Sequence, residues 1–159
     1  MYKPLAIAAL LSVTAQAWAQ PVPERVAALD YAALDILDNL AQRERIAGVA
    51  QATLPDYLSD YADDAFTDVG TLKVADMAAL ESLSPDAILI SGRLEAEREN
   101  LEALAPVYAV ATEGEDTWDQ LEHRVDDLAA LFDAQQAGEQ ALADLRQALD
   151  QQLAEINGT

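Results

Sequence analysis

The feature that most restricts the fold is a short apolar segment, Ala87-Ile88-Leu89-Ile90, in which no polar residue alternates with the apolar ones. Such a segment suits a β-strand that is covered on both faces, as in a parallel sheet. The preceding Ser84-Pro85-Asp86 ends a helix, because Pro85 disfavours helical geometry in the residue before it. That helix is predicted from apolar residues at three-residue spacing along one face, namely Val74, Met77, Leu80 and Leu83.

Strand and helix patterns alternate along the rest of the chain. We predict further strands over 25–30, 46–49 and 106–111. Two further helices are predicted over 31–41 and 94–105, and in the first of them Leu34, Leu37 and Ala41 face inward. Another helix is predicted to begin after Thr117, which is a suitable N-cap residue. This alternation predicts an α/β fold with a small parallel sheet of about four strands, right-handed crossovers, and helices on both faces.

The C-terminal part of the chain differs, because one long helix is predicted with no strand after it. Its stripe of apolar residues is Leu142, Leu145, Leu149, Leu153 and Ile156. From 138 to 156 such a helix is about 28 Å long at about 1.5 Å per residue. Two arrangements are open: the helix folds back on the domain, or it begins a connection to something else.

The first residues have the pattern of a signal peptide. Lys3 precedes an apolar segment over 5–13 that is too short for a permanent membrane span, and Ala17-Trp18-Ala19 carries the small residues that a signal peptidase requires. We predict a signal peptide over 1–19, an α/β lobe over 20–136 and a long helix over 137–159. The chain has no cysteine, which excludes a lipid anchor on Cys. The expected location is the periplasm, and an uncleaved anchor is the less favoured alternative.

The formal net charge of −20 restricts the partners of this chain. Binding to nucleic-acid backbones needs clustered Lys and Arg, so a nucleic-acid partner is excluded, and docking on anionic lipid is disfavoured. Because the acidic residues are spread along the chain, a solvated acidic surface explains them better than a basic partner does.

The sequence contains no catalytic constellation. His123 is the single histidine and has no second histidine at helical spacing, and no glycine-rich phosphate loop is present. Ser91 before Gly92 lacks the glycine two residues earlier that a nucleophile elbow requires. We therefore predict a protein that is not an enzyme, with no catalytic residue, no metal site and no cofactor.

Candidate binding residues lie where predicted strands end, since ligands of open α/β sheets are held at the carboxyl edge of the strands. Arg93 follows the strand 87–90, Lys73 follows the turn 69–72, and Tyr31 follows the first strand. The Arg93 guanidinium is permanently charged and presents forked donors suited to oxyanions. On spacing alone, an i,i+4 ion pair with Glu97 is the slightly favoured alternative role for Arg93.

Several segments in this order resemble the periplasmic substrate-binding proteins of iron–siderophore ABC importers, especially the catecholate-binding branch. They are LDYAALD at 29–35, LPDYL at 54–58, VGTLK at 69–73 and PDAILISGR at 85–93. The resemblance implies one lobe of a class III periplasmic-binding-protein fold, with the long helix as the connection to a second lobe. It also implies that Arg93 belongs to a basic pocket for an anionic ferric complex, with Tyr31, Tyr57 and Lys73 near the same cleft.

The resemblance has two departures. The second lobe, with its further pocket residues, is missing, and Ala78 occupies the position where the family usually has a glutamate that docks on the permease. The expected function is capture of an anionic ferric siderophore, without chemistry, for delivery to an ABC permease in the inner membrane, by one lobe that binds weakly if at all. The alternatives are a structural or interaction module that pairs through its exposed long helix, a fragment without function, and a binder of cobalamin or haem on the same fold.

Overall fold

The computed structural model of the protein describes residues 21–110, 114 and 116–157. The predicted signal peptide and the last residue of the predicted strand 106–111 lie outside these ranges. Within them the structure has one five-stranded parallel sheet. Its strands are β1 (Val26–Leu29), β2 (Ile46–Val49), β3 (Thr67–Asp68), β4 (Ala87–Ile90) and β5 (Val107–Ala109).

The strands are ordered β3-β2-β1-β4-β5 across the sheet, so the first strand of the chain is the central one. β1 and β4 pair in step from Val26 opposite Ala87 to Leu29 opposite Ile90. Every residue of these two strands is buried, as expected for strands that are covered on both faces. The predicted α/β fold with a parallel sheet is therefore confirmed.

The prediction of about four strands missed β3, which pairs with β2 through Gly48 opposite Thr67 and Val49 opposite Asp68. β3 has two residues, both exposed and neither of them apolar. A sequence pattern that depends on buried apolar residues gives no signal for such an edge strand.

Helices cover both faces of the sheet. They are α1 (Tyr31–Asn39), α2 (Met77–Leu83), α3 (Arg98–Glu102), α4 (Thr117–Leu131) and α5 (Gln135–Asn157). One apolar core lies between the sheet and helices α1 and α4, and the other lies between the sheet and helices α2 and α3. No helix within the described ranges is both long enough and apolar enough to cross a bilayer.

Several predicted helix boundaries are wrong. α2 begins at Met77, so Val74 lies in the preceding turn and is 63% exposed. α1 ends at Asn39, and Ala41 turns outward with a left-handed φ of 57°. The N-cap of α4 is Asp116, whose carboxylate accepts the Trp118 and Asp119 amide N–H groups, and not Thr117.

The segment predicted as one helix over 94–105 is divided into a 3-10 helix, Gly92–Glu97, and the short helix α3. Leu94 and Leu101 are both fully buried in the same core, as the apolar pattern predicts. The pattern located the buried residues correctly but could not distinguish a tight helical turn from a regular one.

The predicted long C-terminal helix is confirmed, and α5 begins three residues before the predicted glycine. Its first part packs against α4, where Gly138 approaches the Val125 and Ala129 side chains closely. Leu142 packs partly against the core, whereas the next apolar residues of the stripe are exposed. α5 therefore extends beyond the surface of the lobe that it packs against.

Candidate functional site

The four predicted site residues follow the carboxyl ends of four neighbouring strands. In the order of the sheet, Lys73 follows β3, Tyr57 follows β2, Tyr31 follows β1 and Arg93 follows β4. Because all the strands are parallel, these segments leave the sheet at one edge, which we call the carboxyl edge. With neighbouring strands about 4.8 Å apart, the ends of β3 and β4 are separated by roughly 14 Å.

Arg93 is held at this edge by the residues on either side of it. The Ser91 hydroxyl oxygen accepts a hydrogen bond of 3.4 Å from the Arg93 amide N–H, and Leu94 is fully buried beneath the loop. The Arg93 side chain itself is exposed. The alternative ion pair with Glu97 is not formed, and no other described residue contacts the guanidinium through a hydrogen bond or ion pair.

Arg98, which lies five residues after Arg93, is engaged in ion pairs, unlike Arg93. Arg98 forms ion pairs of 2.6 Å with Glu95 and 3.3 Å with Glu102, and it also donates to the Val107 carbonyl oxygen. The hydrogen bond from Arg98 lowers the pKa of Glu95 below its ordinary value, and the same bond raises the pKa of Arg98. Arg98 is therefore neutralised locally, whereas Arg93 is not.

Lys73 stands on a tight turn after β3. The Thr71 hydroxyl oxygen accepts hydrogen bonds from the Lys73 and Val74 amide N–H groups, at 3.2 and 3.0 Å. Gly70 enters this turn with a φ of 111°, a conformation that favours glycine. The turn is therefore well defined, and it leaves the Lys73 side chain exposed.

The two tyrosines differ in how available they are to a ligand. The half-buried Tyr31 donates its hydroxyl hydrogen to the Ala50 carbonyl oxygen at 2.9 Å, and its oxygen lies 3.1 Å from the Thr53 hydroxyl oxygen. Tyr31 thereby ties the ends of β1 and β2 together. Tyr57 is 70% exposed, so its ring and hydroxyl face solvent.

Lys73 and Arg93 are distinguished among the cations of the chain. Of the nine Lys and Arg residues, Lys3 falls outside the described ranges. Five of the other eight make a side-chain contact with a described residue, namely Arg25, Arg43, Arg45, Arg98 and Arg146, and Arg124 also has an interaction partner. Within the part of the chain that the structure describes, Lys73 and Arg93 are the two cations whose side chains have no interaction partner, and both lie at the carboxyl edge.

The carboxylates at the same edge are used by the backbone. Asp30 accepts the Ala33 amide N–H at 2.9 Å and begins α1, and Asp76 begins α2 in the same way. Asp68 accepts the Gly70 amide N–H at 3.1 Å. These acidic side chains shape the loops by accepting backbone hydrogen bonds, and none of them forms an ion pair with Lys73 or Arg93.

The groups with the clearest pKa shifts lie elsewhere. Tyr61 is fully buried, and its burial, followed by a hydrogen bond to Asp38, raises its pKa far above the ordinary value. Arg43 stacks on the Tyr61 ring at 4.2 Å. Burial and then the charge of Asp38 raise the pKa of Asp35. The described residues contain no group of three or more His, Cys, Asp or Glu side chains arranged to hold a metal ion.

Sequence reasoning did not single out Thr53 and Thr71, which fix Tyr31 and the Lys73 turn. Thr71 follows Gly70, and Gly-Thr after a strand is a recognisable turn signal. Thr53 has no comparable signal, because its contact with Tyr31 arises only once β1 and β2 are side by side.

Comparisons with known proteins agree with this architecture. The family described as "Periplasmic binding protein" matches residues 26–156. The petrobactin-binding protein YclQ of Bacillus subtilis is 28% identical over 137 residues, which are 86% of this chain and 42% of YclQ. Its crystal structure superposes with a TM-score of 0.76 over 81% of this chain and 45% of that one.

Two further relatives have similar coverage. The ferric-anguibactin-binding protein FatB of Vibrio anguillarum is 28% identical over 81% of this chain and 41% of FatB. The crystal structure of PiuA, an iron uptake ABC transporter substrate-binding protein of Streptococcus pneumoniae, matches with a TM-score of 0.72 and 27% identity over 85% of this chain and 46% of PiuA.

The chain thus spans less than half the length of these relatives. The family match covers the whole sheet and most of α5, including the segments that carried the sequence resemblance. The fold is that of one lobe of a class III periplasmic binding protein, and the predicted resemblance is confirmed. This chain belongs to the periplasmic binding protein family.

Proposed function

We propose that the carboxyl edge of this lobe binds an anionic ferric siderophore of the catecholate type. The observation that carries the proposal is that Lys73 and Arg93 keep their donors while the other described cations are engaged. A ferric complex with anionic oxygens spread over its surface suits two cations on strand ends roughly 14 Å apart. The relatives named for petrobactin and ferric anguibactin support an iron–siderophore ligand.

The proposed mechanism is capture without chemistry in the periplasm, followed by delivery to an ABC permease in the inner membrane. Tyr57 and Tyr31 follow β2 and β1, the two strands that lie between β3 and β4, and the Tyr57 ring is exposed. A single lobe contacts a ligand from one side, whereas well-formed pockets bury most of the ligand surface. Binding by residues 20–159 alone is therefore weak.

The test is calorimetric titration of the purified chain with a ferric catecholate complex. Arg93→Ala weakens binding by about 10- to 100-fold, since a charged hydrogen bond contributes roughly 1.5–3 kcal/mol and about 1.4 kcal/mol is tenfold. Lys73→Ala weakens it less, because an ammonium lacks the forked donors of a guanidinium.

Two controls make the titration specific. Arg93→Lys keeps the charge and recovers part of the affinity, and Arg98→Gln removes the same charge from an arginine that is already paired. Unchanged affinity in a folded Arg93→Ala variant contradicts the proposed site. Sub-micromolar binding by the wild-type chain contradicts the one-sided pocket.

A further inference from the structure

The side chain of Gln51 joins the segment that follows β2 to the segment that leads into β3. Its amide nitrogen lies within hydrogen-bond distance of three main-chain carbonyl oxygens, those of Tyr61 at 2.8 Å, Phe66 at 3.2 Å and Asp63 at 3.4 Å. The first of these carbonyls belongs to the 3-10 helix Asp56–Ala62, which carries Tyr57. Gln51 therefore fixes the path of the chain from this 3-10 helix to β3.

Asp68, the last residue of β3, connects that strand to Gln51. The Asp68 Oδ1 atom accepts the Gln51 amide N–H at 3.3 Å and the Gly70 amide N–H at 3.1 Å. The turn that carries Lys73 is closed by a main-chain hydrogen bond of 2.8 Å within the turn itself. The position of this turn relative to the rest of the carboxyl edge is therefore set where the chain leaves β3.

The pairing of β3 supplies few other contacts that could set this position. β3 is an edge strand of two exposed residues, so it pairs with the sheet on one side only. Directly after it, the Val69 amide N–H donates to the Val49 carbonyl oxygen at 3.1 Å, and Val69 is fully buried. The hydrogen bonds of Asp68 are the side-chain contacts that add to this short pairing.

We infer that Gln51 and Asp68 are positioning residues of the proposed binding edge, an inference that rests on the proposed function. Gln51 holds the 3-10 helix that carries Tyr57, and Asp68 holds the turn that carries Lys73. The hydrogen bond between Gln51 and Asp68 fixes these two segments against each other. Neither residue needs to touch the ligand to affect its binding.

The charge of Asp68 makes its role testable. A carboxylate at this edge repels an anionic ligand, so charge alone predicts that removing it tightens binding. Positioning predicts the opposite for Asp68→Ala, because two amide N–H groups lose their acceptor and the Lys73 turn is no longer held. Asp68→Asn separates the two effects, since an amide oxygen can accept the same hydrogen bonds without the charge.

Calorimetric titration with the ferric complex of a tris-catecholate measures these variants. Asp68→Ala weakens binding by about three- to tenfold, the range expected for lost hydrogen bonds. Asp68→Asn binds at least as tightly as the wild-type chain. Asp56→Ala is the matched control, because it removes an exposed carboxylate that accepts no hydrogen bond within the described residues, and it also binds at least as tightly.

Double-mutant cycles test whether each residue acts through the segment that it holds. Asp68→Ala has little further effect in a Lys73→Ala background, because the turn no longer carries a cation. Gln51→Met keeps the side-chain length but removes the donors, so it weakens binding in the wild-type chain and much less in a Tyr57→Ala background. A general loss of folded structure would instead lower the affinity equally in both backgrounds.

Amide hydrogen exchange, followed by NMR without ligand, tests the hydrogen bonds themselves. Asp68→Ala speeds exchange at Gly70 and Gln51, whereas Asp68→Asn does not. Exchange at these two amides that is unchanged in Asp68→Ala overturns the inference, as does a loss of affinity that is the same with and without Lys73.

Failure of this inference differs from failure of the proposed function. If Arg93→Ala binds weakly while Asp68→Ala binds at least as tightly as the wild-type chain, the inference alone is overturned. If Arg93→Ala binds like the wild-type chain, the proposed site is overturned, and the positioning roles that rest on it are overturned with it.

Discussion

Two glycines at the carboxyl edge differ in whether a larger residue could replace them. At Gly70, with a φ of 111°, an added Cβ would lie 2.5 Å from the Val74 carbonyl oxygen and 2.7 Å from the Asp76 amide nitrogen. At Gly92 an added Cβ would meet no atom within 4 Å. The turn that carries Lys73 therefore needs glycine, whereas the loop that carries Arg93 does not.

We predict that Gly70→Ala destabilises the protein by about 1–3 kcal/mol, because the backbone must leave its conformation or remain strained. Gly92→Ala, the matched control, changes the free energy of unfolding by less than about 1 kcal/mol. Urea unfolding followed by circular dichroism measures both. Equal stability of the two variants would show that the Lys73 turn adjusts without cost.

At the residue scale, where a site residue lies in the fold was easier to predict than which groups its side chain contacts. Arg93 was identified because it comes shortly after an apolar strand, and the structure places it in the 3-10 helix that follows β4. The i,i+4 pair with Glu97 fails because both residues lie in a 3-10 helix, where residues three apart share a face and residues four apart do not. The hydrogen bond from the Tyr31 hydroxyl to the Ala50 carbonyl oxygen depends on the pairing of β1 with β2, which the local sequence does not indicate.

The packing of α5 on α4 depends on one small residue. An added Cβ at Gly138 would lie 3.0 Å from the Ala129 Cβ and 3.2 Å from the Val125 Cγ1, so a larger side chain has no space between the two helices. Arg146 adds a second contact between α5 and α4, because it stacks on the Trp118 ring at 4.4 Å and forms an ion pair with Glu122.

We predict that Gly138→Leu lowers the free energy of unfolding by about 1 kcal/mol or more. Overpacking costs about 1–3 kcal/mol, which the better helix propensity of leucine offsets only in part. Ala143→Leu, at an exposed position of the same helix, changes stability by less than about 0.5 kcal/mol. Chemical denaturation compares the two, and a stabilised Gly138→Leu variant would mean that α4 and α5 separate easily.

Elements with a buried apolar face were predictable, and those without one were not. β1, β2 and β4 were located closely because they are buried, and α5 because its apolar period is long. β3 was not predicted because its two residues are polar and exposed. The start of α2 was misplaced because Val74 fits the helical spacing while the Thr71 hydrogen bonds hold it in a turn.

For the molecule as a whole, the charge of −20 opposes the compact state through self-repulsion. We predict that the thermal midpoint rises by about 2–5 °C when sodium chloride increases from about 0.01 to 0.15 M, since the screening length falls from about 30 to 8 Å. Differential scanning calorimetry measures the midpoint.

The control for this prediction removes charge directly. The double variant Asp126→Asn, Asp127→Asn, at two exposed positions of α4, has a higher midpoint at low salt and a smaller rise with added salt. A midpoint that falls as salt is added would show that attractive ion pairs, and not repulsion, dominate the surface.

At this scale the fold class followed from the alternation of strands and helices, whereas the expected ligand came only from the resemblance of four short segments to a known family. Alternation with both faces buried leaves few architectures other than a covered parallel sheet. The proposed binding edge comes from four separate segments and so depends on strand order, and the order β3-β2-β1-β4-β5 is a property of the assembled sheet.

The buried residues on either side of the two unengaged cations have a consequence for how such a protein diversifies. Val69 lies four residues before Lys73, Leu94 directly follows Arg93, and both Val69 and Leu94 are fully inaccessible to solvent. Substitutions at positions 73 and 93 are therefore expected to leave the scaffold undisturbed. Under the proposed function, a change of preferred ligand can arise at these two exposed positions while the buried residues beside them keep the protein folded.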